Sequence, residues 1–210
     1  MPESLGIYLE DLLEEWEDVR QGAQVTVGTL MSQYYSRNET LCVPVLEISD
    51  AEEKPQIGGL CVLFGLQPMG ELSLREGEQL MLLQNNLKRY AFTMQDGTRF
   101  LLEQVQTERE ITAAVDEAGN QYPVLTVTVR GNSTVSALSW DADQEDQRQQ
   151  GKQELADRLL TFLTTQQKEA GMDLANSFLL LAGQERSLWE QYREEPAQYL
   201  SDLKIRLFVE

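Results

Sequence analysis

Hydrophobic residues recur along this chain at two different spacings, and the changes between them outline its elements. From Leu5 to Val19, the residues Leu9, Leu12, Leu13, Trp16 and Val19 fall three and four apart among Glu10, Asp11, Glu14, Glu15, Glu17 and Asp18. This predicts an amphipathic helix with one wet face, ended by Gly22. Leu30, Met31, Tyr34 and Tyr35 predict a second short helix after Thr29. Leu41 to Ile48 reads as a strand containing Pro44, which has no N–H for a ladder, so the strand lies at a sheet edge or starts at the proline. A charged loop, Ser49 to Gln56, leads into the apolar run Ile57 to Gly65, which predicts a buried strand bounded by glycines. Ser73, with Glu76 three residues on and Leu74, Leu80, Met81 and Leu83 behind it, marks the start of a capped helix.

Beyond Asn85-Asn86 the period becomes two. Tyr90, Phe92 and Met94 alternate with Arg89, Ala91, Thr93 and Gln95, as in a strand with one buried face. Asp96-Gly97 predicts a two-residue hairpin turn with positive φ at both central positions, returning through Thr98 to Gln106. Arg109 to Val115 and Tyr122 to Arg130 form a second hairpin around Asp116-Glu117-Ala118-Gly119-Asn120, with Leu125, Val127 and Val129 inside. Asp141 to Gln153 is almost wholly polar and reads as a loop or an exposed helix start. Leu155, Leu159, Phe162 and Leu163 then make a helical stripe that fades by Ala170-Gly171. Asp173 is a candidate cap for a helix carrying Leu174, Phe178, Leu179 and Leu181, and another helix surrounds Leu188, Trp189 and Tyr192 until Pro196 breaks it. Leu203 to Val209 closes the chain as a strand. The expected fold class is α+β: one mainly antiparallel, or mixed, sheet of about five or six strands with helices packed on it. Residues 1–210 are expected to form a single domain, with a leading helix over 1–22, a strand-rich part over 23–140 and a helical part with a final strand over 141–210.

Composition narrows the chemistry. Hydrophobic residues make up 41% of the chain, enough for a packed core, so the formal charge of −18 from 35 acids and 17 bases is a surface property. Such a field repels nucleic acid and anionic lipid, and Lys88-Arg89 and Lys204 with Arg206 are only isolated basic pairs. No run of about 20 apolar residues predicts a membrane span, and Met1-Pro2-Glu3-Ser4 leads into an acidic amphipathic segment unlike a secretory leader. The chain has no histidine, which removes serine triads, cysteine–histidine dyads and most zinc sites. With so many acids, pairs of carboxylates will approach by chance. Asp141-Ala142-Asp143-Gln144-Glu145-Asp146 superficially resembles a calcium loop but puts Asp146 and Lys152 where glycine and a bidentate glutamate belong. Gly58-Gly59 lacks the Lys-Ser or Lys-Thr of a phosphate loop and reads as a pair of strand-edge glycines. Asn38-Glu39-Thr40 and Asn132-Ser133-Thr134 match the glycosylation pattern, which arises often by chance. Cys42 and Cys61 are either bonded across adjacent strands or two buried unpaired thiols, the second being favoured. Trp16 and Trp189 lie on apolar stripes, whereas Trp140 is the better candidate for an exposed aromatic. No catalytic, cofactor-binding or metal-ligating residue is nominated, and no cofactor is expected.

One ordered set of segments carries a family likeness. Val43-Pro44-Val45-Leu46, then Gly59-Leu60-Cys61-Val62-Leu63-Phe64, then Leu74-Arg75-Glu76-Gly77-Glu78, two hairpins, and a long helix ending at Gly171-Met172-Asp173-Leu174 together resemble the C-terminal domain of the Ger(x)C family. These are lipoprotein C subunits of the germinant receptors of bacterial endospores. The resemblance runs from about Leu5 to the end. Ala175-Asn176-Ser177-Phe178 and Ser187-Leu188-Trp189 only approximate the family's Phe-Gly element and Tyr-Pro-X-X-Trp pattern, as in a divergent member. The resemblance implies part of a longer lipoprotein, anchored through an N-terminal lipid at the outer surface of the spore inner membrane. It further implies a non-catalytic interaction domain that works with the membrane-embedded A and B subunits in nutrient-triggered germination. It supplies no ligand-binding residues. The residues alone leave two other readings open: an extracytoplasmic module that captures a small ligand between sheet and helices, and a structural spacer.

Overall fold

A computed structural model describes residues 40–48, 55–64, 67–136 and 144–210. The expected helices over Leu5 to Val19 and after Thr29, with Trp16, Trp140 and Asn38, lie outside the described residues. The chain divides into two compact units, Met1–Met81 and Leu82–Glu210.

The first unit holds an antiparallel sheet of β1 (Thr40–Ile48), β2 (Pro55–Phe64) and β3 (Gln67–Ser73), in that order. β1 is an edge strand, and Pro44 sits in it opposite Leu60, as a residue without an N–H requires. Gly58-Gly59 is not at a strand end but inside β2, where the pairing with β1 slips between Val45 and Leu46. A Cβ on Gly59 would stand 2.5 Å from the Leu72 carbonyl oxygen, so β3 closes only against bare backbone there. β3 itself has no apolar alternation to announce it, because Leu72 is its one buried residue. It runs directly into α1 (Leu74–Leu83), which opens on a capping box. The Glu76 carboxylate accepts from the Ser73 N–H at 2.8 Å and from its hydroxyl at 2.7 Å, while Ser73 Oγ accepts from the Glu76 N–H at 3.3 Å.

The second unit holds a sheet in the order β4 (Arg89–Thr93), β5 (Arg99–Val115), β6 (Gln121–Ser136), β7 (Lys204–Val209). All neighbours are antiparallel except β6 and β7, which run parallel. The fold class is therefore α+β and mainly antiparallel, with the strands shared between sheets of three and four. Thr98 to Gln106 and Arg109 to Val115, expected as separate strands, are one continuous strand. Asp96-Gly97 is not a two-residue turn. Gly97 N–H donates to Met94 O at 3.1 Å and Met94 N–H to Thr98 O at 2.8 Å, which makes a three-residue loop with positive φ only at Gly97. The Asp116 to Asn120 loop repeats this geometry with Gly119. In both, an Asp carboxylate fixes the turn: Asp96 accepts from Thr98 N–H, and Asp116 from Ala118 N–H and Asn120 N–H.

Between β6 and β7 come α2 (Gln144–Leu163), a π-helical turn (Thr164–Glu169), α3 (Ser177–Gln184), α4 (Arg186–Tyr192) and α5 (Pro196–Asp202). α2 packs on β6 and β7, α3 on β5, and α4 and α5 on β6. Ile111, Leu125, Val127 and Val129 from the sheet and Leu155, Leu159, Leu163, Leu181, Leu188 and Tyr199 from the helices are at most 2% exposed. Arg158 ties α2 to the β4 hairpin, lying 4.3 Å over the Phe92 ring and donating to Thr93 O at 3.0 Å. Pro196 does not merely break a helix. It occupies the first turn of α5, where a missing N–H is harmless. Leu179, expected on the buried stripe of α3, is 40% exposed, whereas Leu174, Phe178 and Leu181 of that stripe are buried.

Past Glu103, β4 no longer accompanies β5, yet four of the outward N–H groups of β5 are met. Val105 donates to Lys88 O at 3.1 Å, Thr107 to Asn85 Oδ1 at 2.9 Å, Ile111 to Gln184 Oε1 at 2.7 Å and Ala113 to Glu185 Oε1 at 3.4 Å. These acceptors close an edge that would otherwise recruit another strand.

Candidate functional site

The end of β4 beside the middle of β5 and β6 makes a groove of about 550 Å³, lined by Lys88, Arg89, Glu103, Gln104, Val105, Gln106 and Asn132. A β-bulge creates it. Glu103 pairs with Asn132 and Gln106 with Arg130, so Gln104 and Val105 together oppose Gly131. Gln104 adopts φ 54°, a left-handed conformation that costs an ordinary residue roughly 1–2 kcal/mol. Gly131 admits the bulge, since a Cβ there would lie 2.8 Å from Glu103 O. The polar walls hold one another: Asn132 Nδ2 donates to Gln104 Oε1 at 2.9 Å, and Arg89 pairs with Glu103 at 3.4 Å. Buried Val105 forms the only apolar floor. The groove thus offers amides and a lysine ammonium to a polar group, and no nucleophile.

None of these residues was nominated from the sequence, although a signal for the bulge is there. Buried positions fall on even numbers at Phe100 and Leu102 and on odd numbers at Val105, Thr107 and Ile111. That slip of parity is what an inserted residue produces.

A second polar cluster lies within the helical layer. Asp173 serves as the expected cap of α3, although Asn176 occupies the N-cap position. Its carboxylate accepts from Ser177 N–H at 2.8 Å, Phe178 N–H at 2.7 Å, Ser177 Oγ at 2.8 Å and Gln167 Nε2 at 2.7 Å. Arg109 reaches from β5 to donate to Ala175 O at 2.8 Å. Burial lowers the guanidinium pKa and the charge of Asp173 draws it back up. Burial likewise drives the pKa of the Tyr199 hydroxyl far up, so it stays neutral. The cluster is a joint between π-turn, α3 and sheet, in which Gln167 Oε1 and the Tyr199 hydroxyl are buried without a hydrogen-bond partner among the described residues.

Cys42 and Cys61 are free thiols. Cys42 faces Val62 and Cys61 faces Val43, one step out of register, so the two side chains leave opposite faces of the sheet. Burial, then the neighbouring Cys61, pushes the Cys42 thiol up to about 12. Glu145 and Asp146, from the calcium-like run, lie in the first turn of α2, and Glu145 accepts from Arg148 and Gln149. Among the described residues no group of three or more His, Cys, Asp or Glu is placed to hold a metal ion. Trp189 is half-buried, with its ring 4.7 Å from that of Phe178. No helix of the described residues is long and apolar enough to cross a membrane.

No protein-family model and no curated protein matches the chain. Among solved structures, the crystal structure of the GerBC protein matches with a TM-score of 0.72 at 12% identity, over 88% of this chain and 59% of that one. The fold is GerBC-like. It is the Ger(x)C-like architecture that the order of sequence segments implies, and at this identity the likeness is one of fold. The chain spans about three fifths of the length of the GerBC structure.

Proposed function

We propose that the chain is the C-terminal interaction domain of a germinant-receptor C subunit. In this reading it belongs to a longer lipoprotein at the outer surface of the spore inner membrane and works with two membrane-embedded subunits in nutrient-triggered germination, without catalysing a reaction. The observation that carries the reading is the GerBC-like fold over 88% of the chain, together with an order of sequence segments that resembles the same family. The chemistry of the residues fits: there is no histidine, and the polar clusters are spent on structure. The test is genetic and biochemical. Spores lacking the protein should fail to respond to a nutrient while still germinating with a non-nutrient trigger. Normal nutrient germination would contradict the proposal.

The groove at the β5 bulge favours one other reading, a module that takes up a small polar ligand. A thermal-shift screen of amino acids and sugars separates the two. The receptor reading predicts a flat screen, and stabilisation of several degrees by one nutrient would favour the ligand module.

A further inference from the structure

We propose that the open edge of β7 accepts an extended segment of a partner protein as an added strand, and that this segment alternates acidic with apolar residues. The surface stands on backbone geometry and does not depend on the receptor reading.

β7 ends the four-stranded sheet, with β6 on one side only. Glu210 N–H donates to Val129 O at 2.8 Å, and in this parallel register the even-numbered residues turn their N–H and C=O groups toward β6. The N–H and C=O groups of Ile205, Leu207 and Val209 therefore point to the open side. Among the described residues, none supplies these three with a further backbone or side-chain hydrogen bond there. This contrasts with β5, four of whose outward N–H groups are met by Lys88, Asn85, Gln184 and Glu185. It also contrasts with β4, which is only 5 residues long and has Arg158 on its last carbonyl. Among the described residues the outer side of β5 is partly covered and β4 is short, whereas β7 offers three successive outward positions.

The side chains define the partner. Along β7, Ile205, Leu207 and Val209 are half-buried on the α2 side, whereas Lys204, Arg206 and Phe208 are exposed on the other face. Phe208 is 51% exposed. Lys168 adds a third cation at the start of the strand, donating to Ser201 O at 3.5 Å; burial and then Lys204 lower its pKa, and Asp202 raises it. Neither Lys204 nor Arg206 is ion-paired with a described residue. The nearby Asp202 carboxylate accepts from Tyr192 and Gln198, and Glu210 pairs with Arg130. On a molecule of charge −18 this is an exceptional basic strip.

Lysine on an edge can simply discourage pairing. Here it discourages one kind of partner. Two β7 strands from two copies, paired antiparallel about Ile205 or Arg206, would set Lys204 and Arg206 beside the same cations, about 5 Å apart, where like charges repel. An acidic strand reverses that sign, while its apolar residues extend the layer under α2. Main-chain bonds would then supply affinity and the charged face selectivity.

The probe is an acetylated, amidated hexapeptide of alternating Glu and Val, compared with one of alternating Lys and Val. Amide hydrogen exchange is followed by NMR on the whole protein at about 0.15 M salt, where the Debye length of ~8 Å leaves local charge dominant over the distant acidic surface. The Glu peptide should slow exchange at Ile205, Leu207 and Val209 about fivefold or more, and the Lys peptide should not. Replacing Lys204→Glu together with Arg206→Glu should exchange the two preferences. The comparison of peptides on the unaltered protein decides the matter even where the doubly substituted protein folds poorly. No slowing, or equal slowing by both peptides, would overturn the proposal. So would slow exchange of the three amides in the free protein, either at all concentrations or only at high ones where a second copy covers the edge.

Discussion

At the scale of single residues, the chain spends its polar groups on joints. Asp173 collects four donors, two of them the first N–H groups of α3 and one from buried Gln167. Asp173→Ala should lower stability by about 2–4 kcal/mol in denaturant titration, since the cap is lost and Gln167 is left with an unmet donor. Asp173→Asn, which keeps one acceptor oxygen, should lose less. Besides the buried Tyr199 hydroxyl, two groups link stability to alkaline pH. The Cys42 thiol is pushed up from 9.0 to about 12 by burial and then Cys61, and the Tyr192 phenol from 10.0 to about 12 by burial and then its bond to Asp202. Both hold their protons more tightly when folded, so their contribution is complete below about pH 9 and disappears as pH rises toward 12. The denaturation midpoint should be level from pH 7 to 8.5 and fall beyond pH 9, and Tyr192→Phe should flatten the part above pH 10. A level midpoint up to pH 11 would contradict this. The caps could be read from the sequence because Ser73 and Glu76, or Asp173 and the α3 amides, lie within a turn of each other. The contacts of Gln167 and Arg109 could not, as they join residues that only the folded chain brings together.

At the scale of elements, packing tolerances decide what can change. Leu159 is fully buried on the stripe of α2, and Leu159→Ala should cost about 2–5 kcal/mol. Gly151 sets two effects against each other. Alanine would raise helix propensity by about 1 kcal/mol, but its Cβ would sit 2.1 Å from Cδ2 of the fully buried Phe100 ring. Overpacking of a rigid ring typically costs about 1–3 kcal/mol, so Gly151→Ala should lower the melting temperature. A rise would mean that α2 lies farther from β5 than described. The long stripes and strict alternations were legible for the same reason: α2 and β4 each repeat one period without a break. The two-residue turn read at Asp96-Gly97 was a misreading, because Asp-Gly serves equally well as the end of a three-residue loop in which Asp96 keeps negative φ. β3 was missed because one buried leucine makes no pattern, and α5 because a helix of 7 residues opening on Pro196 resembles a break.

At the scale of the whole molecule, the amount and sign of charge could be read directly, but the division of the seven described strands into two sheets could not. Strand pairing joins residues far apart in sequence, as when β7 lands parallel to β6 after five intervening helical segments. The groove was hidden by the same non-locality, since its walls come from three strands. The chain has a GerBC-like fold, a formal charge of −18 and no histidine, and the proposed role is that of a domain that presents surfaces. The most direct measurement is isolation of the full-length, anchored protein from spore inner membranes in mild detergent. The account predicts that two polytopic membrane proteins accompany it in fixed proportion and that the purified chain turns over no nutrient. A protein recovered alone from intact membranes, or turnover abolished by neutralising one aspartate or glutamate, would contradict it.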